Sequence, residues 1–489
     1  MTRAIQIHLL VVCLVGSLSL VGGAETLAPN IANAWPQFRG PNGSGRAATD
    51  RQLPPAIGPH TNVIWKVALA PGHSSPVVGG GRIFLTAERD NKLFTVAVDA
   101  GTGSVVWKRE APYEALEEIH RIGSHAQPSC VTDGGRVVSF FGSYGLLCYD
   151  MNGGLLWKRR LGPFNNTFGV GSSPIIVDDV VVLCQDHDTD SFLMAIDKWT
   201  GNELWNTDRS EFPRNYCTPV ISEAGGAKQI VVAATLRMVG YDFRSGKERW
   251  TVHGMSRAVC MTPVIGEDGT IFAAGWAGGG DESNRISVPP FDSVIGERDR
   301  NQNGTIERDE LDKDGPIERR YVQVDRDKSQ SITRAEYEYY RGLFDTARNV
   351  VVAVTPGGQG DVTQSHVQWS FRKFVPFCAS PLYVDGHVFT IKDGGILTAI
   401  EAKSGNPVKT GRLLGRGNYY ASPVTGDGKI FYVSESGESA VTDTKGDWSI
   451  VSTSEFGEDV YATPAIVSGR IYLRTREQLY CFGLHGNSE

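Results

Sequence analysis

Ala97-Val98-Asp99-Ala100-Gly101-Thr102-Gly103-Ser104-Val105-Val106-Trp107 is the stretch that decides the fold. It predicts two short strands joined by a tight turn at Thr102-Gly103, where glycine accepts a positive φ without a Cβ clash. Closely similar stretches end at Trp157, Trp205 and Trp250. A motif that returns at a steady spacing indicates a repeat architecture rather than an isolated hairpin.

A second marker follows the same period: a small hydroxyl residue, then proline, then an apolar run. It occurs at Ser75-Pro76, Ser173-Pro174, Thr218-Pro219, Thr262-Pro263, Ser380-Pro381, Ser422-Pro423 and Thr463-Pro464, with Gln127-Pro128 as a variant. Successive prolines lie 41 to 52 residues apart, except for one interval of 118 residues. A period in the forties with about four strands per unit is typical of propeller blades.

We therefore predict an all-β chain folded as an eight-bladed β-propeller of four-stranded blades. The last unit stops after two strands beyond its inner strand, whereas residues 62–69 form a lone strand that carries Trp65. The N- and C-terminal strands are thus expected to share the last blade, which would close the ring and cover an open edge. The repeated tryptophans Trp107, Trp157, Trp205 and Trp250 are expected to be buried between blades.

The N-terminus is typical of an export signal. Arg3 precedes a mostly apolar run from Ala4 to Val21, and Gly22-Gly23-Ala24 offers small residues for cleavage after Ala24. No later segment is apolar enough to span a membrane. We therefore expect an exported protein, periplasmic or extracellular, with no transmembrane segment once the signal is removed.

The charge and the cysteine content of the chain limit the kinds of partner that it is expected to bind. The formal net charge is −7 and the sequence pI is about 5.9, so no basic footprint for nucleic acid exists. The seven cysteines beyond Cys13 are scattered through strand-like apolar runs, and we interpret them as buried small hydrophobic residues rather than a disulfide framework. A protein or a small-molecule ligand remains as the partner, and the oligomeric state stays open.

The 118-residue interval holds an insertion with calcium chemistry. Residues 299–310 match the twelve-residue calcium loop of an EF-hand, with Gly304 at the sharp turn. Hard Ca²⁺ prefers oxygen ligands, and the expected ligands of this loop are Asp299, Asn301, Asn303, Thr305 through its carbonyl, Glu307 and Glu310.

A second loop follows, with expected ligands Asp325, Asp327, Ser329, Ser331 and Glu336. It departs from the pattern at Gln330, where glycine is usual, so we expect the first loop to bind Ca²⁺ more tightly. Ile306 and Ile332 hold the same apolar position in the two loops and predict a short β contact between them. The insertion is thus predicted to be a small α-helical EF-hand pair, with helices near 290–298 and 334–344.

A polar mouth is the remaining candidate site. The run Asp186-His187-Asp188-Thr189-Asp190 lies between two strands of the third unit, and His125 and Arg214 lie in loops that enter inner strands. These loops share one face of a propeller, so the side chains could meet there as ligands, or they could only cap turns. No catalytic residue is identified from the sequence.

The repeats closely resemble the pyrroloquinoline-quinone-type β-propeller family. Its tryptophan-docking motif is carried by Ala97, Asp99, Thr102, Gly103 and Trp107 and by the equivalent residues of the other units. The opening Trp35-Pro36-Gln37-Phe38-Arg39-Gly40-Pro41 is similar to the start of secreted bacterial members.

The resemblance implies two functions. One is an exported calcium-binding propeller that acts as a ligand- or protein-binding scaffold, as the outer-membrane assembly factor propellers do by contact. The other is a quinone-dependent alcohol or sugar dehydrogenase, which needs a calcium-bound quinone in the axial channel, a stacking tryptophan and a catalytic Asp. The chain lacks an adjacent Cys-Cys pair, and no residue specific for pyrroloquinoline quinone is recognisable. We favour the scaffold.

The predicted domain organisation has five parts. They are a signal peptide at residues 1–24, an N-terminal arm at 25–61, a first propeller part at 62–275, the EF-hand insertion at 276–348 and the rest of the propeller at 349–489.

Overall fold

The N- and C-terminal strands of the chain pair with each other and close a ring of eight blades. In the computed structural model, which describes residues 34–47, 51–313, 315, 317–413 and 417–484, strand β1 (Val63–Ala68) is the outer strand of blade 8. Its register runs antiparallel from Val63 opposite Phe482 to Ala68 opposite Gln478. The predicted eight-bladed propeller and its closure are confirmed. The predicted signal peptide, residues 25–33 and residues 48–50 lie outside the described residues.

Each blade is a four-stranded antiparallel sheet whose strands follow one another from the axis to the rim. Blades 1 and 2 are formed by β2 (Val77–Gly79), β3 (Arg82–Arg89), β4 (Lys92–Asp99), β5 (Val105–Glu110), β6 (Val131–Thr132), β7 (Arg136–Phe141), β8 (Gly145–Asp150) and β9 (Leu155–Arg160). Blades 3 and 4 are formed by β10 (Ile175–Val177), β11 (Val180–Gln185), β12 (Phe192–Asp197), β13 (Glu203–Asp208), β14 (Val220–Ala224), β15 (Ala227–Ala233), β16 (Arg237–Asp242) and β17 (Glu248–His253).

Blade 5 is interrupted by the insertion between its second and third strands. It begins with β18 (Val264–Ile265) and β19 (Ile271–Gly275). The insertion then contributes α1 (Phe291–Arg298), β20 (Ile306–Glu307), α2 (Tyr321–Val324), β21 (Ser331–Ile332) and α3 (Arg334–Thr346). The blade resumes with β22 (Val350–Val354), a short β23 (Gly360–Asp361) that pairs with blade 4, α4 (Thr363–His366) and β24 (Val367–Phe371).

The last three blades complete the circle. Their strands are β25 (Leu382–Val384), β26 (His387–Lys392), β27 (Ile396–Glu401), β28 (Pro407–Arg412), β29 (Val424–Gly426), β30 (Lys429–Val433), β31 (Glu438–Asp443), β32 (Ile450–Glu455), β33 (Ala465–Val467), β34 (Arg470–Arg474) and β35 (Gln478–Phe482). The middle strands of the blades are largely buried, whereas the outer strands are mostly half-buried or exposed, apart from residues such as Trp107, Trp157 and Trp250.

The repeated tryptophans join the rims of neighbouring blades. The indole of Trp157 lies on Gly201 in the turn of the next blade, and its Nε1 donates to the Lys198 carbonyl oxygen at 2.9 Å. A Cβ at Gly201 would come within about 3 Å of that ring, so the turn glycine serves close approach as well as its positive φ. The same arrangement joins Trp65 to Gly103, Trp107 to Gly153, Trp205 to Gly246 and Trp369 to Gly405.

Two of the four predicted tryptophans depart from expectation. Trp205 docks as predicted but stays half-buried. Trp250 is fully buried, yet its indole lies on Gly240 of its own blade and donates to Gln229 Oε1 at 2.7 Å. Blade 5 offers no Thr-Gly or Ser-Gly turn between β22 and β24, so Trp250 has no such docking place on the next blade.

The Ser/Thr-Pro marker has a second structural role at the axis. In seven of the eight blade-to-blade steps, the backbone N–H of the marker residue donates to the hydroxyl of the next blade's marker at 2.9–3.0 Å. This hydroxyl ring runs Ser75, Ser129, Ser173, Thr218, Thr262, Ser380, Ser422, Thr463 and back to Ser75. In blade 2 the hydroxyl belongs to Ser129, after the proline, so reading Gln127-Pro128 as the equivalent marker was wrong.

The N-terminal arm lies across one end of the central channel. Trp35 exchanges two backbone hydrogen bonds with Val78 of blade 1, and the buried Arg39 donates to the Pro381 carbonyl oxygen of blade 6. Between them, the ring of Phe38 borders the cavity at the axis. The arm therefore forms the floor beneath the ring of blades.

We expect Trp157→Ala to lower the free energy of unfolding by roughly 3–5 kcal/mol, because a buried indole is lost and its docking glycine is left uncovered. Trp199, which is 59% exposed, provides the matched control, and Trp199→Ala should cost less than about 1 kcal/mol. Equilibrium denaturation of both variants measures this, and equal losses would contradict the docking role.

Two threonines of the hydroxyl ring allow its contribution to stability to be tested with the isosteric substitution of threonine by valine. The Thr463 hydroxyl accepts from Ser422 N–H, whereas the Thr262 hydroxyl is buried without a partner among the described residues. Thr463→Val should therefore cost about 1–3 kcal/mol through an unsatisfied buried N–H, and Thr262→Val should be neutral or stabilising. Thermal and denaturant unfolding compare the two, and a similar loss in both would disprove the role of the ring.

Candidate functional site: the axial pocket

A cavity of about 440 Å³ lies on the axis, on the far side of the hydroxyl ring from the arm's tryptophan. Marker hydroxyls and Phe38 form its base. Its wall repeats every blade, because the residue two places before each marker hydroxyl lines it. These wall residues are His73, Gln127, Gly171, Tyr216, Cys260, Cys378, Tyr420 and Tyr461.

The wall is strongly aromatic along one side. The imidazole of His73 stacks on Tyr461 with ring centroids 4.0 Å apart, and Tyr461 stacks on Tyr420 at 5.4 Å. Phe377 and Trp276 continue this side with an edge-to-face contact at 4.8 Å. Flat apolar faces that converge on a cavity suit a ligand with an aromatic or other apolar body.

His73 is held neutral in this wall. Burial, followed by the nearby positive charges of Arg474 and Arg476, lowers its pKa to about 3. The imidazole therefore acts as an uncharged aromatic surface at physiological pH. It also borders a second, more polar cavity of about 330 Å³, so the two cavities adjoin.

Two cysteines belong to the wall, which corrects the sequence-based view of all seven as buried packing residues. Cys260 and Cys378 are half-buried and line the pocket from neighbouring blades, whereas the other five are buried. A side-chain hydrogen bond with Cys260 and then burial raise the pKa of the Cys378 thiol well above its ordinary value.

The mouth of the pocket carries three arginines. Arg214 and Arg257 come from loops that enter inner strands, and Arg320 comes from the insertion, at the end of a short 3₁₀ helix, Glu318–Arg320. Asp188 neutralises Arg214 through two contacts of 2.9 Å. Among the described residues that line the pocket, no Asp or Glu occurs.

The predicted polar mouth is mostly a packing network. Asp186 forms a buried two-fold ion pair with Arg209 at 2.8 Å, and the buried His187 stacks on Phe164 with its pKa lowered to about 3 by burial. His125 holds Glu88 at 3.0 Å in the second cavity. Of the side chains proposed from the sequence, Arg214 alone is among the residues lining the axial pocket.

Comparison with known proteins supports the repeat type. A family model described as outer membrane protein assembly factor BamB matches residues 94–280. The matched residues run from the third strand of blade 1 to just past the second strand of blade 5, so the resemblance to this family lies within the repeats. Within these repeats the aspartates of the turns are structural: Asp99 accepts hydrogen bonds from the Thr102 hydroxyl and backbone, which lower its pKa.

Solved propellers of this type share the fold at low sequence identity. BamB from Moraxella catarrhalis superposes with a TM-score of 0.52 at 12% identity, covering 87% of this chain and 98% of that one. Quinohemoprotein alcohol dehydrogenase ADHIIG from Pseudomonas putida HK5 gives 0.54 at 12%, covering 94% and 81%. The quinohemoprotein alcohol dehydrogenase of Comamonas testosteroni gives 0.54 at 13%, with the same coverage. The comparison with curated proteins gives no match.

The insertion in blade 5 has the geometry of two facing loops. Helices α1 and α3 begin within one residue of the predicted positions, and Ile306 pairs with Ile332 in the predicted short β contact. The apolar core of the insertion includes Tyr337. It docks beside the pocket mouth, where Lys328 Nζ lies 2.6 Å from Asp190 Oδ2 and the Tyr339 hydroxyl donates to the Glu211 carbonyl oxygen.

The two loops differ in how their side chains are arranged. In the second loop, carboxylate oxygens of Asp325, Asp327 and Glu336 lie within 4.8 Å of one another, and Asp325 Oδ1 is buried without a hydrogen-bond partner. In the first loop, Asn301 and Asn303 side-chain amides donate to Glu307.

Other first-loop contacts fix the remaining acidic residues. Asp299 accepts from Gly304 N–H, and Glu310 accepts from Glu307 N–H. The sixth position of each loop has a positive φ, 84° at Gly304 and 67° at Gln330. The described residues contain no helix long and apolar enough to cross a membrane.

Proposed function

We propose that this protein is an exported, calcium-binding propeller that binds a ligand in its axial pocket and acts as a scaffold rather than as a redox enzyme. The observation that carries the proposal is the aromatic axial cavity with no carboxylate in its described lining. Pockets of this size with apolar walls and few polar groups are the usual sites of small-molecule binding. Export is supported by the apolar run Ala4 to Val21, which lies outside the described residues.

The alternative is a quinone-dependent dehydrogenase, and the lining does not fit it. Calcium requires hard oxygen ligands, chiefly carboxylates. The axial pocket offers hydroxyls, thiols, aromatic rings and arginines instead. A calcium-bound quinone would there lack both its metal ligands and an acidic catalytic residue. A protein partner, as the description of the matching family model suggests, is compatible with a binding role.

The pocket is tested with the neutral fluorescent probe N-phenyl-1-naphthylamine. We expect saturable binding, and Phe377→Ala should weaken it roughly tenfold by removing an aromatic contact from the wall. Phe374, three residues away and 41% exposed, gives the matched control Phe374→Ala, which should bind as wild type does. No binding by the wild-type protein, or the same loss in both variants, would contradict the proposal.

An activity assay of the wild-type protein distinguishes the scaffold from the quinone-dependent dehydrogenase. Incubation with pyrroloquinoline quinone and calcium, followed by an assay of alcohol-dependent dye reduction, should give no turnover. Turnover that depends on the quinone would replace the scaffold by the dehydrogenase.

For calcium, we propose both loops of the insertion as sites. The ligands are Asp299, Asn301, Asn303, Thr305, Glu307 and Glu310 in the first loop and Asp325, Asp327, Ser329, Ser331 and Glu336 in the second. The unpartnered Asp325 Oδ1 supports a cation in the second loop, because a buried carboxylate oxygen otherwise remains uncompensated. The first loop has the freer backbone, since a non-glycine residue pays about 1–2 kcal/mol for the left-handed region that Gln330 occupies.

We expect the first loop to bind Ca²⁺ more tightly, with dissociation constants on the order of 10⁻⁴ to 10⁻³ M sufficient for an exported protein. Calorimetry of Glu310→Gln should remove the tighter phase, and Glu336→Gln should remove the weaker one. Gln330→Gly should tighten the second site. Chelator should leave the propeller folded, because its core does not include the loops. The absence of binding at millimolar calcium would contradict this assignment.

A further inference from the structure

Arg257 and Arg320 place two unpaired positive charges at the mouth of the axial pocket. The Arg257 guanidinium donates to the Gly278 carbonyl oxygen at 3.3 Å and lies over the Phe344 ring at 4.7 Å. The Arg320 side chain has no hydrogen-bond or ion-pair partner in the described part of the chain. No carboxylate of the described residues pairs with either guanidinium.

Arg214, at the same pocket mouth, differs from these two arginines because its charge is neutralised by a carboxylate. Asp188 receives both of its guanidinium contacts at 2.9 Å, so its charge is used within the protein. The contrast assigns different roles to arginines from neighbouring loops. Arg214 fixes the wall, whereas Arg257 and Arg320 keep unused donors in or beside the cavity.

The unpaired charges are unfavourable without a partner. Burial lowers the pKa of Arg257, and repulsion from Arg320 and then Arg214 lowers it further. Charges withdrawn from water are normally paired, because desolvation is otherwise uncompensated. An anion between the two guanidinium groups would remove the repulsion and accept their hydrogen bonds. The planar fork of arginine suits carboxylate, phosphate and sulfonate oxygens.

We propose that the ligand of the axial pocket is an anion, whose acidic group is bound by Arg257 and Arg320 while its aromatic or apolar body packs against the wall of Phe377, Tyr420 and Tyr461. This inference rests on the proposed function and names the chemical class of the ligand. Arg320 belongs to the insertion, so the insertion supplies half of the anion site. Ligand selectivity is therefore set partly by a segment that interrupts the propeller.

The test compares two fluorescent probes that differ chiefly in charge. 1-Anilinonaphthalene-8-sulfonate carries a sulfonate on the same aromatic framework as neutral N-phenyl-1-naphthylamine. The wild-type protein should bind the sulfonate more tightly than the neutral probe. The preference should shrink with added salt, because salt screens partly exposed charges. Phe377→Ala should weaken both probes, which places both in the pocket.

The variants Arg257→Gln and Arg320→Gln should each weaken the sulfonate roughly tenfold or more, since a charge-assisted hydrogen bond is lost. Binding of the neutral probe should change less than about twofold. Arg319→Gln is the matched control, because Arg319 is the exposed neighbour of Arg320 and is absent from the pocket lining. It changes net charge equally and should leave both affinities unchanged.

The outcomes separate this inference from the proposed function. Tight binding of the neutral probe with no preference for the sulfonate, or equal losses in Arg319→Gln and Arg320→Gln, would overturn the anion site while the pocket remains a ligand site. Failure of both probes to bind wild-type protein would overturn both. Circular dichroism checks folding, and Arg320→Gln decides the question if Arg257→Gln does not fold.

Discussion

The hydroxyl ring around the axis is the interaction on which the structure depends. The inner strands of a propeller converge on the axis. The N–H of the marker residue, just before each inner strand, faces a neighbouring blade rather than water. In seven of the eight steps, a hydroxyl from that blade accepts from it at 2.9–3.0 Å. Because a buried N–H without a partner is costly, seven of the eight blades need a small hydroxyl at one fixed place, and the Thr262 hydroxyl is the exception. That constraint also fixes where the pocket wall begins, two residues earlier in every blade.

The contacts between the rims of neighbouring blades vary more in chemistry, and the blades without a docking tryptophan show what such a contact requires. Docking needs a donor and a flat or extended side chain that covers the next blade's turn. Lys409 does this in place of a tryptophan: its Nζ donates to the Trp448 carbonyl oxygen at 2.6 Å and lies over that indole. In blade 7 the Ser452 hydroxyl donates to Pro55 of the N-terminal segment. A tryptophan, a lysine or a serine therefore makes the stabilising contact at this position of the outer strand.

The sequence predicted features that repeat and missed those that arise from convergence. The turn motif and the Ser/Thr-Pro marker predicted the blades and their closure, and the calcium-loop pattern predicted the helices of the insertion, because each depends on local spacing. Ser129 was missed because a one-residue shift around Pro128 hides its equivalence. Tyr420, Tyr461 and Arg320 were missed because only the closed ring brings together residues that lie 41 to 141 positions apart in the sequence. Counting back two residues from each marker would have identified the wall, but no local pattern distinguishes Arg320 from its exposed neighbour Arg319.

The N-terminal arm has a consequence for how the molecule exchanges its contents. It touches blades 1, 2, 4, 6 and 7, through Val78, Thr132, Ile221, Pro381 and Thr425. The full set of these contacts therefore requires all five blades to be assembled. Phe38 of the arm borders the axial cavity, so the arm covers that end of the axis. A ligand of the axial pocket that exchanges at the end opposite the arm would pass Arg257 and Arg320, so these side chains would affect its release rate as well as its affinity.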